Sequence, residues 1–183
     1  MNDLTTLLEG ARQGDNAAID QLFAAMYPEL HQLARARLRH SEPITLLDTT
    51  SLVHESYLRF LKAGRLQVND QSHFLAYASC VMRSVIVDLV RQHRTDRRGG
   101  GAVHVTLDTD IAESAHASED EILQVNEALD DLAKIDARLV KVVEMRYFAG
   151  LSEQDIAASL GLTERTVRRD WQKARLLLRA ALQ

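Results

Sequence analysis

Basic and amide side chains recur at helical spacing in the stretch ERTVRRDWQK, residues 164–173. At about 100° per residue, four of them project within roughly 100° of one another: Arg165, Arg168, Arg169 and Gln172. Guanidinium groups bind phosphates or form bidentate hydrogen bonds with guanine, and glutamine can pair with adenine. The spacing therefore predicts a DNA-reading face formed by Arg165, Thr166, Arg168, Arg169, Gln172 and Lys173. The alternative is a solvated basic face on an ordinary helical hairpin.

Two short helices joined by a tight turn would present this face. Ser152 begins a Ser-x-x-Asp capping pair at the start of the first helix. Gly161 stands where that helix must end with a positive φ, and the second helix starts near Thr163. Ala157 is small where the two helices cross, and Val167 faces the core. These positions predict a helix-turn-helix.

A second group of polar side chains opens a helix in the stretch LDTTSLVHESYLRF. Three hydroxyl residues, Thr49, Thr50 and Ser51, follow the single acid Asp48. The apolar stripe behind them predicts a helix from near residue 48 to about residue 63. One hydroxyl or carboxyl side chain is enough to cap a helix, so three consecutive hydroxyls need another explanation.

The remaining candidates for chemistry carry weaker signals. His54 and Glu55 could begin a zinc-peptidase motif, but Leu58 stands where the second histidine is required. Cys80 is the single cysteine, which excludes an internal disulfide and a thiolate zinc cluster. A semi-buried structural thiol is favoured over a redox sensor at this position. The sequence shows no catalytic triad, carboxylate pair or phosphate loop, so we expect no enzymatic activity, metal or cofactor.

Composition and charge indicate two modules. The chain has 183 residues, 46% of them apolar, and a net charge of −4. Residues 1–98 carry a net charge of +1, residues 99–133 carry −9, and residues 134–183 carry +4. We therefore predict an all-α protein with a domain at 1–98, a flexible acidic linker at 99–118 and a second domain at 119–183. No long apolar run or basic leader is evident, which predicts a cytoplasmic protein.

Apolar periodicity gives the expected helices of both domains. In the first domain they are residues 15–40, where Pro28 could kink or split the helix, then 48–63 and 74–94. In the second domain they are residues 119–132 and 137–148, followed by the two helices of the helix-turn-helix.

The motifs together resemble the extracytoplasmic-function (ECF) sigma factors of bacteria over residues 9–98 and 120–182. The stretch VVEMRYFAGLSEQDIAASLGLTERTVRRDWQKARLLLR is similar to the fourth sigma region, which reads the −35 promoter element. LVHESYLRFLKA resembles the helix of the second region that docks on the β′ clamp of RNA polymerase. FLAYASCVMRSVIVDLVRQHRTDRR resembles the segment that engages and melts the −10 element.

The resemblance implies roles for two further groups of residues. The polymerase-docking group is Asp48, Thr50, Ser51, His54, Glu55 and Leu58. The −10 group comprises a base-capturing loop and basic helix positions: Asn69, Asp70, Ser72, His73, Arg83, Arg91 and Arg94. The loop would hold a flipped base, and the arginines would contact the DNA backbone.

The start of the docking helix departs from the family pattern. Family members usually begin this helix with Asp-Ala-Glu-Asp, whereas this chain has Asp48, Thr49, Thr50 and Ser51. Two carboxylates that face a basic polymerase patch are thus replaced by hydroxyls, which should weaken docking. A phosphate would restore the charge at a helix N-terminus that favours it. We hypothesise activation by a Ser/Thr kinase at Thr50, or else at Ser51; the alternative is a simple N-cap at Thr49 or Thr50.

The expected partners follow from the resemblance. They are core RNA polymerase, through its β′ clamp and β flap, promoter DNA, a Ser/Thr kinase and, as a further candidate, an anti-sigma factor. The free protein is expected to be a monomer that does not bind membranes. Its acidic linker could mimic RNA phosphates near the exit channel or simply keep the chain soluble. The rival function is a free-standing helix-turn-helix regulator that binds an operator without polymerase.

Overall fold

The computed structural model describes residues 3–39, 47–98 and 118–183, and these residues form an all-α fold, as predicted. Within them, the helices are α1 (Leu4–Gln13), α2 (Asn16–Ala25), α3 (Tyr27–Leu38), α4 (Thr49–Ala63), α5 (Gln71–Arg98), α6 (Glu119–Val143), α7 (Glu153–Leu160) and α8 (Glu164–Ala181). A short π-helical segment, Glu144–Phe148, follows α6 directly. We call α1–α5 the first module and α6–α8 the second module.

The first module packs its helices around a core that includes an aromatic cluster. Phe23 of α2, Phe60 of α4 and Phe74 of α5 meet edge to face, with ring centroids 4.8 to 5.7 Å apart. Phe60 and Phe74 are fully buried, and Phe23 is nearly so. Edge-to-face contacts between buried rings add to the gain from removing apolar surface from water. This aromatic cluster fixes α4 and α5 relative to each other. It thereby also positions the predicted −10 group and the three hydroxyl residues 49–51, which we call the hydroxyl cluster.

Local sequence explains the helix boundaries of this module. Pro28 lies in the first turn of α3, where its missing N–H costs nothing. The single helix predicted here is therefore split into α2 and α3, as the sequence allowed. Helix α1 was not predicted, although Leu4, Leu7 and Ala11 have helical spacing. It ends at Gly14, whose φ of 87° lies in the left-handed region.

The second module begins with a capping box. Ser118 accepts a hydrogen bond from the Glu121 N–H, and the Glu121 carboxylate accepts one from the Ser118 N–H. Helix α6 leaves helical geometry at Asp136 (φ −160°, ψ 103°), close to the break that the sequence predicted between residues 132 and 137. The predicted linker at 99–118 lies outside the described residues except for Ser118, which caps α6.

The two modules are in contact within the described residues. Ala76 of α5 is buried among the side chains of the helix-turn-helix core, which include Val142, Ile156 and Val167. Two residues of the second module also pack against the core of the first module. They are Ile122 of α6 and Ala149, which follows the π-helical segment. The sequence predicted two domains but not this packing.

In the part of the chain that the structure describes, one helix is long and apolar enough to cross a membrane by length and composition alone. It is the Gln71–Asp96 part of α5, and half of its most apolar window is buried in the protein. A core helix passes the same test, so this segment is weak evidence for a membrane span.

Candidate nucleic-acid interface

The second module has the geometry predicted for a helix-turn-helix. Ser152 caps α7 by accepting the Asp155 N–H, and Gly161 ends α7 with a φ of 65°. Thr163 caps α8 by accepting the Thr166 N–H. Val167 is completely buried between the helices, as predicted. The turn and both caps therefore set the direction in which α8 projects.

The predicted DNA-reading residues lie together on the outer face of α8. Arg165, Arg168, Arg169, Gln172 and Lys173 are exposed, and Thr166 is half-buried beside the cap. The opposite face carries buried Val167 and Ala174, with Trp171 and Leu178 partly covered. The residues predicted to read DNA, apart from half-buried Thr166, are therefore exposed on α8.

A carboxylate organises the centre of that face. Glu153 at the start of α7 accepts bonds from Arg168 Nε and Nη2 at 3.1 and 2.8 Å, and from Arg146 Nη1 at 2.5 Å. Hydrogen bonds from the two arginines lower the pKa of Glu153, and the bond to Glu153 raises the pKa of Arg168. Arg168 is thus oriented by α7 while its side chain stays 59% exposed. Glu153 and Arg146 were not among the residues predicted from the sequence.

A second ion pair holds α8 against α6. Arg138 Nε donates to Asp170 Oδ2 at 2.7 Å, and the Asp170 side chain is 4% exposed. A buried carboxylate needs such a partner, because an unpaired one is strongly destabilising. Asp170 interrupts the basic run VRRDW, three positions after Val167 and four before Ala174. This spacing places Asp170 on the buried side of the helix and was the available sequence signal for its role.

The hydroxyl cluster forms the first turn of α4. Asp48 is the N-cap, with its carboxylate accepting the Ser51 N–H at 2.7 Å. Hydrogen bonds from Ser51 lower the pKa of Asp48. The alternative that Thr49 or Thr50 serves as the cap is therefore wrong. Thr50 is exposed, whereas Thr49 and Ser51 are half-buried.

The predicted docking residues share an outward face of α4. Thr50, His54 and Glu55 are exposed, and Leu58 is 36% exposed. On the other side of the helix Leu52, Val53 and Phe60 are buried. We call the set Asp48, Thr50, Ser51, His54, Glu55 and Leu58 the docking face.

The predicted −10 group is only partly an open surface. Asp70 caps α5 by accepting the His73 N–H at 2.8 Å, so Ser72 and His73 lie in the first helical turn rather than in a loop. Burial lowers the pKa of His73. Asn69 and Arg91 are exposed.

The other two arginines of the −10 group contact the second module. Arg83 Nε donates to Glu144 Oε1 at 2.7 Å, and Arg94 Nη2 donates to Asp120 Oδ1 at 2.8 Å. Both arginines were predicted to face DNA, and their ion pairs with Glu144 and Asp120 were not predicted. In this conformation their charges are used within the protein.

Cys80 has the properties of a structural thiol. It is partly buried on α5, and burial raises its pKa from 9.0 to about 12. A redox sensor needs an accessible thiolate, so the raised pKa favours the structural interpretation. Among the residues described by the structure, no group of three or more metal-ligating side chains comes together.

The comparison with protein families gave a match that covers the whole chain. The family model of ECF sigma factors matches residues 1–183. A search of curated proteins found no match. The matched range covers every stretch of sequence on which the resemblance rested. The chain therefore belongs to the ECF sigma factor family.

Proposed function

We propose that this sigma factor reads the −35 element with the outer face of α8 and opens the −10 element with α5. Family membership supports the coarser role, which is to bind core RNA polymerase and direct transcription initiation. The observation that carries the −35 assignment is the exposed set of arginines on α8, centred on Arg168. Side chains of this type read the major groove from the N-terminal turns of a recognition helix.

The docking face is our candidate for the contact with the polymerase β′ clamp. It presents Glu55, the Asp48 cap and the apolar Leu58 beside the hydroxyls. Thr50, His54 and Glu55 are exposed, so the outward side of the docking face is open in this conformation. A basic patch on the polymerase would meet only two carboxylates here.

Phosphorylation of Thr50 would add the missing negative charge. Thr50 is exposed in the first turn of α4, where free N–H groups and the helix dipole favour an anion. Asp48 already accepts the Ser51 N–H, so a phosphate on Thr50 would remain available to the polymerase. Ser51 is the second candidate, although it is half-buried.

Promoter-dependent transcription with core polymerase tests this switch. Treatment with the activating kinase should raise the activity of wild type and of the Thr49→Ala control. Thr50→Ala should stay inactive after treatment, and Thr50→Glu should be partly active without it. If untreated and kinase-treated wild type are equally active, there is no switch; a Thr50→Ala variant that still responds points to Ser51.

The second module has an apolar groove that suits the polymerase β flap. The groove has a volume of about 590 Å³ and lies between α6 and the C-terminal half of α8. Tyr147 and Leu176 line it and are 71% and 70% exposed. Large exposed apolar side chains grouped around a groove are typical of a protein-binding surface. Two polymerase contacts, one per module, would place both DNA-reading elements on the enzyme.

A further inference from the structure

Glu153, the first residue of α7, joins two arginines of the second module through its two carboxylate oxygens. Oε1 accepts a hydrogen bond from Arg146 Nη1 at 2.5 Å. Oε2 accepts two bonds from Arg168, from Nη2 at 2.8 Å and from Nε at 3.1 Å. Because both oxygens are occupied, the plane of the carboxylate is fixed, and the plane of the Arg168 guanidinium is fixed with it.

Arg146 is held on a second side by an aromatic ring. Its guanidinium carbon lies 5.1 Å from the centroid of the Trp171 ring of α8, which is within the range of a cation–π contact. Trp171 packs in turn against the apolar core of the helix-turn-helix. The π-helical segment, α7 and α8 therefore all take part in determining where the Arg168 guanidinium points.

The bonds to Glu153 occupy one edge of the Arg168 guanidinium. A guanidinium has five N–H groups in one plane, and Nε with one N–H of Nη2 forms its lateral edge. The other N–H of Nη2 and one N–H of Nη1 form the terminal edge, which points away from the side-chain stem. The side chain is 59% exposed, and the bonds to Glu153 use the lateral edge alone. The terminal edge is therefore available to DNA.

This terminal edge has the geometry that guanine requires. Its two N–H groups match the O6 and N7 acceptors of guanine in the major groove, and no other base presents two acceptors there. Arg168 begins the second turn of α8, among the N-terminal turns with which a recognition helix contacts base edges. A guanidinium that is already fixed also loses less side-chain freedom on binding. Arg168 is thus prepared to read a base.

Arg169 shows how a neighbouring arginine differs when no carboxylate orients it. Its Nε lies 3.9 Å from Asp170 Oδ1, which is beyond hydrogen-bond distance, and its side chain is 73% exposed. Asp170 is bonded to Arg138 instead. A phosphate contact needs a positive charge but not a fixed plane, so Arg169 is suited to the DNA backbone.

We propose that Glu153 is a positioning residue that makes Arg168 a reader of one guanine in the −35 element. The proposal rests on the proposed function and adds a specificity determinant to it. Glu153 does not touch the base; it acts by holding the lateral edge of Arg168. Without Glu153, the same guanidinium can turn toward a phosphate, so a contact that distinguishes bases becomes one that does not.

Competitive selection from duplexes randomised over the −35 block, bound by core polymerase with each factor, tests this role. Every factor carries Thr50→Glu, so that docking does not limit the measurement. The parent should prefer guanine about tenfold or more at one position, and Arg168→Ala should abolish that preference. Glu153→Ala should reduce it to about threefold or less. Glu153→Gln should lie between them, because its amide oxygen still accepts a bond.

Glu164→Gln is the charge-matched control for Glu153→Gln. Glu153 raises the pKa of Arg168 chiefly through the hydrogen bonds that it accepts, whereas exposed Glu164 adds a through-space effect from the first turn of α8. Glu164→Gln should therefore keep the preference for guanine at the position that Arg168 reads. In the Arg168→Ala background, Glu153→Ala should change no base preference, because Glu153 acts through Arg168.

The salt dependence of binding provides a second readout, which misfolding of the helix-turn-helix would not produce. In Glu153→Ala, the plot of log affinity against log salt should become steeper by about one, because Arg168 then pairs with a phosphate. Thermal midpoints of all variants are compared with that of the parent, so that repositioning is separated from unfolding.

Three results would overturn the proposal: an unchanged guanine preference in folded Glu153→Ala, an equal loss of preference in Glu164→Gln, or a parent with no base preference that depends on Arg168. Selection of a site by the protein without polymerase would instead contradict the −35 assignment. The same comparison of variants on that site would then decide the role of Glu153.

Discussion

Arg168 is the residue on which the −35 assignment depends most. Its guanidinium is exposed and oriented by Glu153, so it is positioned before DNA arrives. Arg168→Ala should weaken binding of the polymerase holoenzyme to a promoter by about tenfold or more. Lys134→Ala is the charge-matched control, since Lys134 lies on α6 and pairs with Asp131. A loss of affinity no larger than that of the control would remove Arg168 from the DNA interface.

Cys80 gives a pH-dependent prediction at the same scale. A pKa of about 12 means that the folded protein holds the neutral thiol at pH 8. Alkylation at pH 8 should therefore be about a thousandfold slower in the native than in the unfolded chain. Because the pKa of Cys80 is raised in the folded chain, the contribution of the thiol to the free energy of unfolding is fully present below the ordinary thiol pKa. That contribution is lost as the pH rises toward 12. Rapid native-state alkylation would show that the thiol is activated.

At the scale of elements, the turn between α7 and α8 depends on Gly161. Its φ is 65°, and nothing lies within 4 Å of the position that a Cβ would take. A larger residue at this position is therefore strained only by the positive φ, not by a clash. Gly161→Ala should lower the free energy of unfolding by about 1 kcal/mol. Gly161→Asn should cost less, because asparagine tolerates the left-handed region. Urea denaturation measures both; equal stability of all three proteins would contradict the role assigned to the turn.

The apolar groove of the second module can be tested through Leu176. This side chain is 70% exposed, so Leu176→Ser should leave the thermal midpoint nearly unchanged. Transcription with core polymerase should nevertheless fall, because the groove is the proposed contact with the β flap. The buried Leu129 lines the same groove, and Leu129→Ala should mainly reduce stability instead. Full transcription by Leu176→Ser would exclude this contact.

Local patterns predicted most elements and the residues on their outer faces. The Ser152 cap, the Gly161 turn and the buried Val167 follow from signals within a few residues of each other. The start of α5 was placed at residue 74 rather than 71, because Asp70 was assigned to a loop instead of a cap. Boundaries of this kind depend on one capping bond, which apolar periodicity does not report.

At the scale of the whole molecule, long-range pairing was beyond the sequence analysis. Arg37 and Glu144 are 107 positions apart, and no periodicity connects them. Each looked like an ordinary polar residue on an amphipathic helix. Charge patterning showed a near-neutral first block and a basic last block, but it could not show that acids of the second module meet arginines of the first. Only the packed arrangement shows that these charges pair between the two modules.

The central claim is that promoter recognition requires core polymerase. The net charge of −4 leaves little general attraction to DNA, so the factor alone should bind duplex weakly. Selection from a random duplex library, with and without core polymerase, tests this claim most directly, using untreated protein and the Thr50→Glu variant. We expect enrichment of two sequence blocks at −35 and −10 spacing only when polymerase is present. Tight enrichment of a single site or an inverted repeat by the protein alone, with no effect of polymerase, would contradict it.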